Sequence, residues 1–178
     1  MREIADAARI RRFMQALGAE TDEAARVYFT GGATAVLVGW RASTIDVDIK
    51  IVPEADRLLR AIPRLKESLQ VNVELASPAD FIPVRPGWED RSPFIAQEGR
   101  VAFYHFDLTA QALAKVERSH QQDVEDVREM VARGLVDAVR VWQYFVAIEP
   151  ELYRYPAVDP RSFRQALEDI LGPEPRRT

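Results

Sequence analysis

The sequence predicts an α+β protein, a mixed β-sheet with flanking helices and a helical C-terminal extension. Three observations lead there. Ile45, Val47, Ile49 and Ile51 alternate with Asp46, Asp48 and Lys50, the period of a strand whose successive side chains point to opposite faces. Apolar residues recur at helical spacing on both sides of that strand, as amphipathic helices require. From Thr109 onward the pattern is helical throughout. The expected organisation is a core over residues 1–108 with a helical part over residues 109–178 packed on it as a single structural domain.

Taken in order, Ile4 to Leu17 reads as an amphipathic helix carried by Ile4, Ala7, Ala8, Phe13, Met14 and Leu17, with Gly18 just past its end,. Val27, Tyr28 and Phe29 end a strand, Gly31-Gly32 follows, and Ala33 to Val38 begins a helix. Paired glycines between strand and helix permit positive φ and close approach of a ligand to the backbone. The following helix start offers N–H groups and a positive dipole end, which suit phosphate. Next comes the acid strand. Asp46 and Asp48 share one face and repel, so a cation is expected between them. Lys50 is one candidate and a divalent metal another, since hard cations take oxygen ligands.

Pro53 opens a second helix, from about Glu54 to Leu69, which Pro63 should kink or split,. Val71 to Leu75 repeats the strand signature, with Asn72 and Glu74 opposite Val71, Val73 and Leu75. If it pairs beside the first acid strand, Glu74 joins Asp46 and Asp48 on one face. Pro78 to Pro93 reads as a long ordered loop, and long loops in compact domains are often functional. Its Arg85, Trp88 and Arg91 either contact a base or phosphate or pin the loop to the body. Phe94 to Gln97 and Arg100 to Phe106 form a β-hairpin around Glu98-Gly99,. Thr109 is the expected N-cap of a helix reaching about Glu117. Val124, Val127, Met130 and Val131 mark another, Val136 to Ile148 a third, and Asp159-Pro160 starts the last, which runs to Leu171.

Composition narrows the function. The chain has 178 residues, 47% of them hydrophobic, enough for a folded core,. No run of about eighteen apolar residues marks a membrane span, and the first residues lack the apolar stretch of a secretory signal. A cytoplasmic location without membrane partners is expected. There is no cysteine, so disulfides and thiolate metal sites are excluded, and two histidines make a zinc enzyme a poor fit,. A net charge of −4 argues against indiscriminate nucleic-acid binding while leaving room for recognition of an RNA end by a local patch,.

The diglycine, then Gly39, Arg41, Ser43-Thr44 and Asp46-x-Asp48, resembles the nucleotidyltransferase fold of the polymerase-beta superfamily. It is most similar to small bacterial members related to AbiEii-type toxins and to an uncharacterised group beside them. The resemblance implies that the turn, with Gly31, Gly32 and Thr34, binds nucleotide phosphates, and that Arg41, Ser43 and Thr44 stand on the substrate side. It implies that Asp46 and Asp48 hold Mg²⁺ or Mn²⁺, with Glu74 as third carboxylate and metal ligand. Lys115-x-x-Arg118 followed by Asp123-x-x-Asp126 resembles the second signature of the AbiEii-like families, in which the lysine holds phosphate and the first aspartate supports the site. The implied activity is Mg²⁺-dependent transfer of a nucleotide from an NTP to an RNA end or a protein hydroxyl. The implied setting is a toxin–antitoxin pair, with an antitoxin protein as partner. Two departures stand out: Ala33 replaces the serine many members carry beside the glycine, and Lys50 shares the acid face. A nucleotide- or partner-binding relative without turnover, and a structural module presenting a helical surface, remain open readings.

Overall fold

The fold is seen in a computed structural model that describes residues 3–176. Its elements in chain order are β1 (Ala5–Asp6), α1 (Ala7–Gly18), β2 (Ala25–Thr30), α2 (Gly32–Val38), β3 (Ser43–Thr44), β4 (Asp46–Val52), α3 (Asp56–Ser68) and β5 (Asn72–Leu75). After a short 3₁₀ turn at Pro78–Asp80 come β6 (Phe94–Glu98), β7 (Val101–His105), α4 (Leu108–Arg118), α5 (Gln121–Ala132), α6 (Ala138–Ile148), a 3₁₀ segment at Glu149–Arg154, and α7 (Pro160–Leu171). Two compact units result: Met1–Ser77 with Ser92–Phe106, and Pro78–Arg91 with Asp107–Thr178. Among the described residues no helix is long and apolar enough to cross a membrane.

The first unit holds a five-stranded sheet in the order β5-β4-β2-β7-β6, together with a two-stranded sheet of β1 and β3. The large sheet is mixed: β2 runs antiparallel to β4 and parallel to β7, and β4 runs parallel to β5. One face of it is apolar. Val27 and Phe29 of β2, Val47, Ile49 and Ile51 of β4, Val73 of β5, and Val101 and Phe103 of β7 enter one core with Ile10, Phe13, Met14 and Leu17 of α1 and Leu58, Ile62 and Leu65 of α3. Phe29 and Phe103 stack across the strands at 5.8 Å. The opposite face carries the polar members of the alternation, as a half-buried strand requires. Asp46, Asp48 and Lys50 are all half-buried there.

Several expectations shift in detail. The first helix starts later than Ile4 because Asp6 caps it, its carboxylate accepting from the Arg9 N–H at 2.8 Å. Ala5 and Asp6 are instead paired with Thr44 and Ser43. The helix then includes Gly18 as its last residue. Pro63 lies inside α3 without splitting it. Burial of Leu58, Ala61, Ile62 and Leu65 on the core holds the helix together across the hydrogen bond the proline cannot donate. The next N-cap is Asp107, not Thr109. The Asp107 carboxylate accepts from the Thr109 and Ala110 N–H groups at 3.1 and 3.5 Å.

The second unit is helical, built on α4 to α7. Phe145 meets Trp142 and Phe163 edge-on at 5.9 and 4.9 Å, and Arg164 lies over Trp142 and Phe145 while pairing with Glu149. The loop Pro78–Arg91 packs with these helices. Arg91 donates to Asp107 at 2.8 Å, the Arg85 N–H donates to the Tyr144 hydroxyl at 2.8 Å, and the Tyr155 hydroxyl donates to the Ala79 carbonyl at 2.9 Å. Of the two readings offered for Arg85 and Arg91, the geometry carries the pinning one.

Candidate active site

The site grows from the pairing of β2 with β4. Antiparallel register sets Thr30 opposite Asp48 and Tyr28 opposite Lys50, so the chain leaves β2 for the diglycine turn directly beside the acid strand. Gly31 adopts φ +64° and ψ −133°, a conformation that excludes residues with a Cβ in all but strained cases. A methyl group there would also stand 3.0 Å from Oδ2 of Asp48. The turn and the carboxylate therefore lie too close to leave room for a side chain at position 31. At Gly32 an added Cβ would fall 2.0 Å from the Thr44 hydroxyl and 3.2 Å from a guanidinium nitrogen of Arg41. Glycine at both positions is what lets the turn lie against Asp48, Thr44 and Arg41.

The remaining acid positions follow from β4 and β5. Parallel register pairs Asp46 with Asn72 and Asp48 with Glu74, and neighbours so paired share a face. Glu74 thus joins Asp46 and Asp48 on the polar side, where it is exposed. Asn72 stands between. Its Nδ2 donates to Asp46 Oδ1 at 2.5 Å and to Glu74 Oε1 at 3.4 Å. Among the described residues Lys50 is drawn into no salt bridge with these acids, so the lysine that could have neutralised the pair does not.

Thr34 and Thr44 lie deeper than the substrate-side placement implies. Thr34 is 1% exposed; its hydroxyl lies 3.4 Å from the Phe29 carbonyl and 3.0 Å from Nδ1 of His105. That contact ties the first turn of α2 to β7. Burial in this apolar setting pushes the His105 imidazole down from its ordinary value near 6.5 to about 4, so the ring is neutral at pH 7. The Thr44 hydroxyl donates to the Asp46 carbonyl at 3.0 Å, fixing the entry to β4. Ser43 is half-buried in the small sheet.

In the helical unit the two motifs interlock. Lys115 Nζ lies 2.7 Å from Asp126 Oδ2, the side chains 5% and 0% exposed. Arg118 grips Asp123 through two nitrogens at 2.8 and 2.6 Å, and Asp123 accepts from the His120 N–H at 3.2 Å at the start of α5. Here the Lys115 charge is committed to a buried partner and the four residues clamp α4 to α5. The sequence reading had no role for Asn72, although its place two residues before Glu74 on the same strand face was the available signal. It also had none for His105 as the buried support of the turn, which no local pattern announces.

The donor set on the polar face is all oxygen, with two carboxylates on β4, and a turn that only glycine can make lies against one of them. Among the described residues no three acids or histidines are gathered closely enough to hold a metal by themselves. Mg²⁺ does not require that: it characteristically keeps several waters and takes one or two carboxylates with substrate phosphates. The residues fit such an ion.

A mixed sheet that sets paired acids beside a diglycine turn is the arrangement expected of a nucleotidyltransferase domain. The chain belongs to the family described as nucleotidyltransferase of unknown function (DUF6036), whose model matches residues 6–164. No curated protein and no solved structure shows significant similarity to it.

Proposed function

We propose that the chain is a divalent-metal-dependent nucleotidyltransferase that uses an NTP and Mg²⁺ or Mn²⁺. The observation that carries this reading is the close approach of Asp48 to the diglycine turn, which brings a backbone suited to phosphate within reach of the acid strand. The turn at Gly31-Gly32 receives the polyphosphate, and Arg41, whose guanidinium lies beside Gly32, supplies the cationic contact. Asp46 and Asp48 hold the metal, with Glu74 at the rim. Bound there, a divalent ion would supply charge neutralisation at the reacting phosphate. The acceptor hydroxyl oxygen forms a bond to the α-phosphorus, the bond from that phosphorus to the bridging oxygen breaks, and pyrophosphate leaves. The hydroxyl proton passes to Glu74. The protein's contribution is positioning and electrostatics.

The resemblance of Lys115-x-x-Arg118 and Asp123-x-x-Asp126 to the AbiEii-like second signature supports placing the protein as the effector of a toxin–antitoxin pair. An RNA end or protein hydroxyl would be the acceptor. In the test, purified chain is incubated with each α-labelled NTP, Mg²⁺ and total RNA or protein. Wild type should label one acceptor class, and Asp48→Asn should lose the label with an unchanged melting temperature. A folded Asp48→Asn variant that transfers as wild type removes the assignment.

A further inference from the structure

We propose that Asn72 is a metal-facing residue of this site, a neutral oxygen ligand that also occupies the cation's electrostatic place when no metal is bound. The proposal rests on the metal-site reading above. Three features lead to it. Asn72 is the register partner of Asp46 and lies two residues from Glu74 on the same strand face. It is half-buried, between a half-buried and an exposed acid. Its amide nitrogen donates to a carboxylate on each side, at 2.5 Å to Asp46 and 3.4 Å to Glu74.

A carboxamide has two chemically opposite ends. Its NH₂ donates and its carbonyl oxygen accepts, and amide oxygens are ordinary ligands of hard divalent ions. With the nitrogen turned to the acids, Asn72 offers them protons and offsets their mutual repulsion. Rotation by 180° about the Cβ–Cγ bond presents the oxygen at the same point, which is favourable only when a positive charge has taken over the neutralising role. The same side chain thus serves the site with and without metal. An acid at position 72 would serve only with it, and an aliphatic residue in neither state.

The experiment is a titration of the full chain with Mn²⁺ alone, followed by calorimetry and by the electron paramagnetic resonance signal of free Mn²⁺, alongside melting in metal-free buffer. Asn72→Ala should weaken Mn²⁺ binding about tenfold, the scale seen when groups around a metal site are removed. Asn72→Asp is the decisive variant. It cannot donate to Asp46, so it should melt lower than wild type without metal yet bind Mn²⁺ more tightly and gain more in melting temperature on adding it. If Asn72→Asp binds Mn²⁺ more weakly, Asn72 merely braces Asp46 and the proposal fails. A folded Asn72→Ala variant with wild-type Mn²⁺ affinity overturns it too. Asp48→Ala separates the two levels. If wild type binds Mn²⁺ and Asp48→Ala binds it equally well, or if wild type binds none even with an NTP present, the underlying metal-site reading fails and takes the Asn72 proposal with it.

Discussion

Gly31 shows how a single position joins backbone and chemistry. Its φ of +64° and the 3.0 Å approach of Asp48 to the place a methyl would take penalise any side chain twice. Gly31→Ala should cost on the order of 1–3 kcal/mol in stability from backbone strain and weaken Mg²⁺–NTP binding, both readable from urea denaturation and titration calorimetry on one sample. Equal stability and equal binding would mean the turn is not the phosphate-facing element. His105 makes a prediction in pH. Its folded value near 4 lies below the ordinary 6.5. Between those limits the unfolded chain binds a proton the folded chain refuses, so stability rises with pH there. The contribution is complete above about 6.5, declines as pH falls toward 4, and amounts to on the order of 3 kcal/mol at most. Urea denaturation across that range should show the slope, and His105→Asn should flatten it.

Among elements, the α4–α5 clamp is the one whose energetics are sharpest. Lys115 and Asp126 are nearly solvent-free, and taking two charges out of water costs several kcal/mol each before their attraction repays it. Removing one partner strands the other. Lys115→Met should therefore destabilise by about 3–5 kcal/mol, whereas Lys115→Met combined with Asp126→Leu should recover most of that loss. Chemical denaturation of the three variants decides it, and an additive double mutant would mean the pair is not the clamp described. Asp107 does analogous work one helix earlier, capping α4 while holding Arg91 at the end of the long loop. The sequence pointed to Thr109 because a hydroxyl before an apolar helix is a common start. The carboxylate two residues upstream prevails because it satisfies backbone donors and the arginine together.

At the level of the whole chain, what local periodicity controls was readable and what long-range pairing controls was not. The alternation over Ile45–Ile51 and the diglycine announced a strand and a turn. Whether they met depended on β2 pairing with β4 and β4 with β5, which no local pattern encodes. The same limit explains the helical motifs. Lys115, Arg118, Asp123 and Asp126 were legible as two charged pairs at helical spacing, but their crosswise partnering arises only when α4 and α5 dock. It also explains the loop at Pro78–Arg91, whose companions come from residues beyond Asp107. The family match over residues 6–164 spans both compact units, so the helices are as much a part of what defines this family as the sheet.

The alternation on β4 has one more effect. Sliding that strand by a single position against its neighbours would drive Asp46, Asp48 and Lys50 among Phe29, Phe103 and Leu58 while pushing Val47, Ile49 and Ile51 into water,. Misaligned pairing is thereby penalised by the same two aspartates proposed to hold the metal. Replacing Asp46, Asp48 and Lys50 with threonines would remove that penalty and leave the strand's alignment less firmly set.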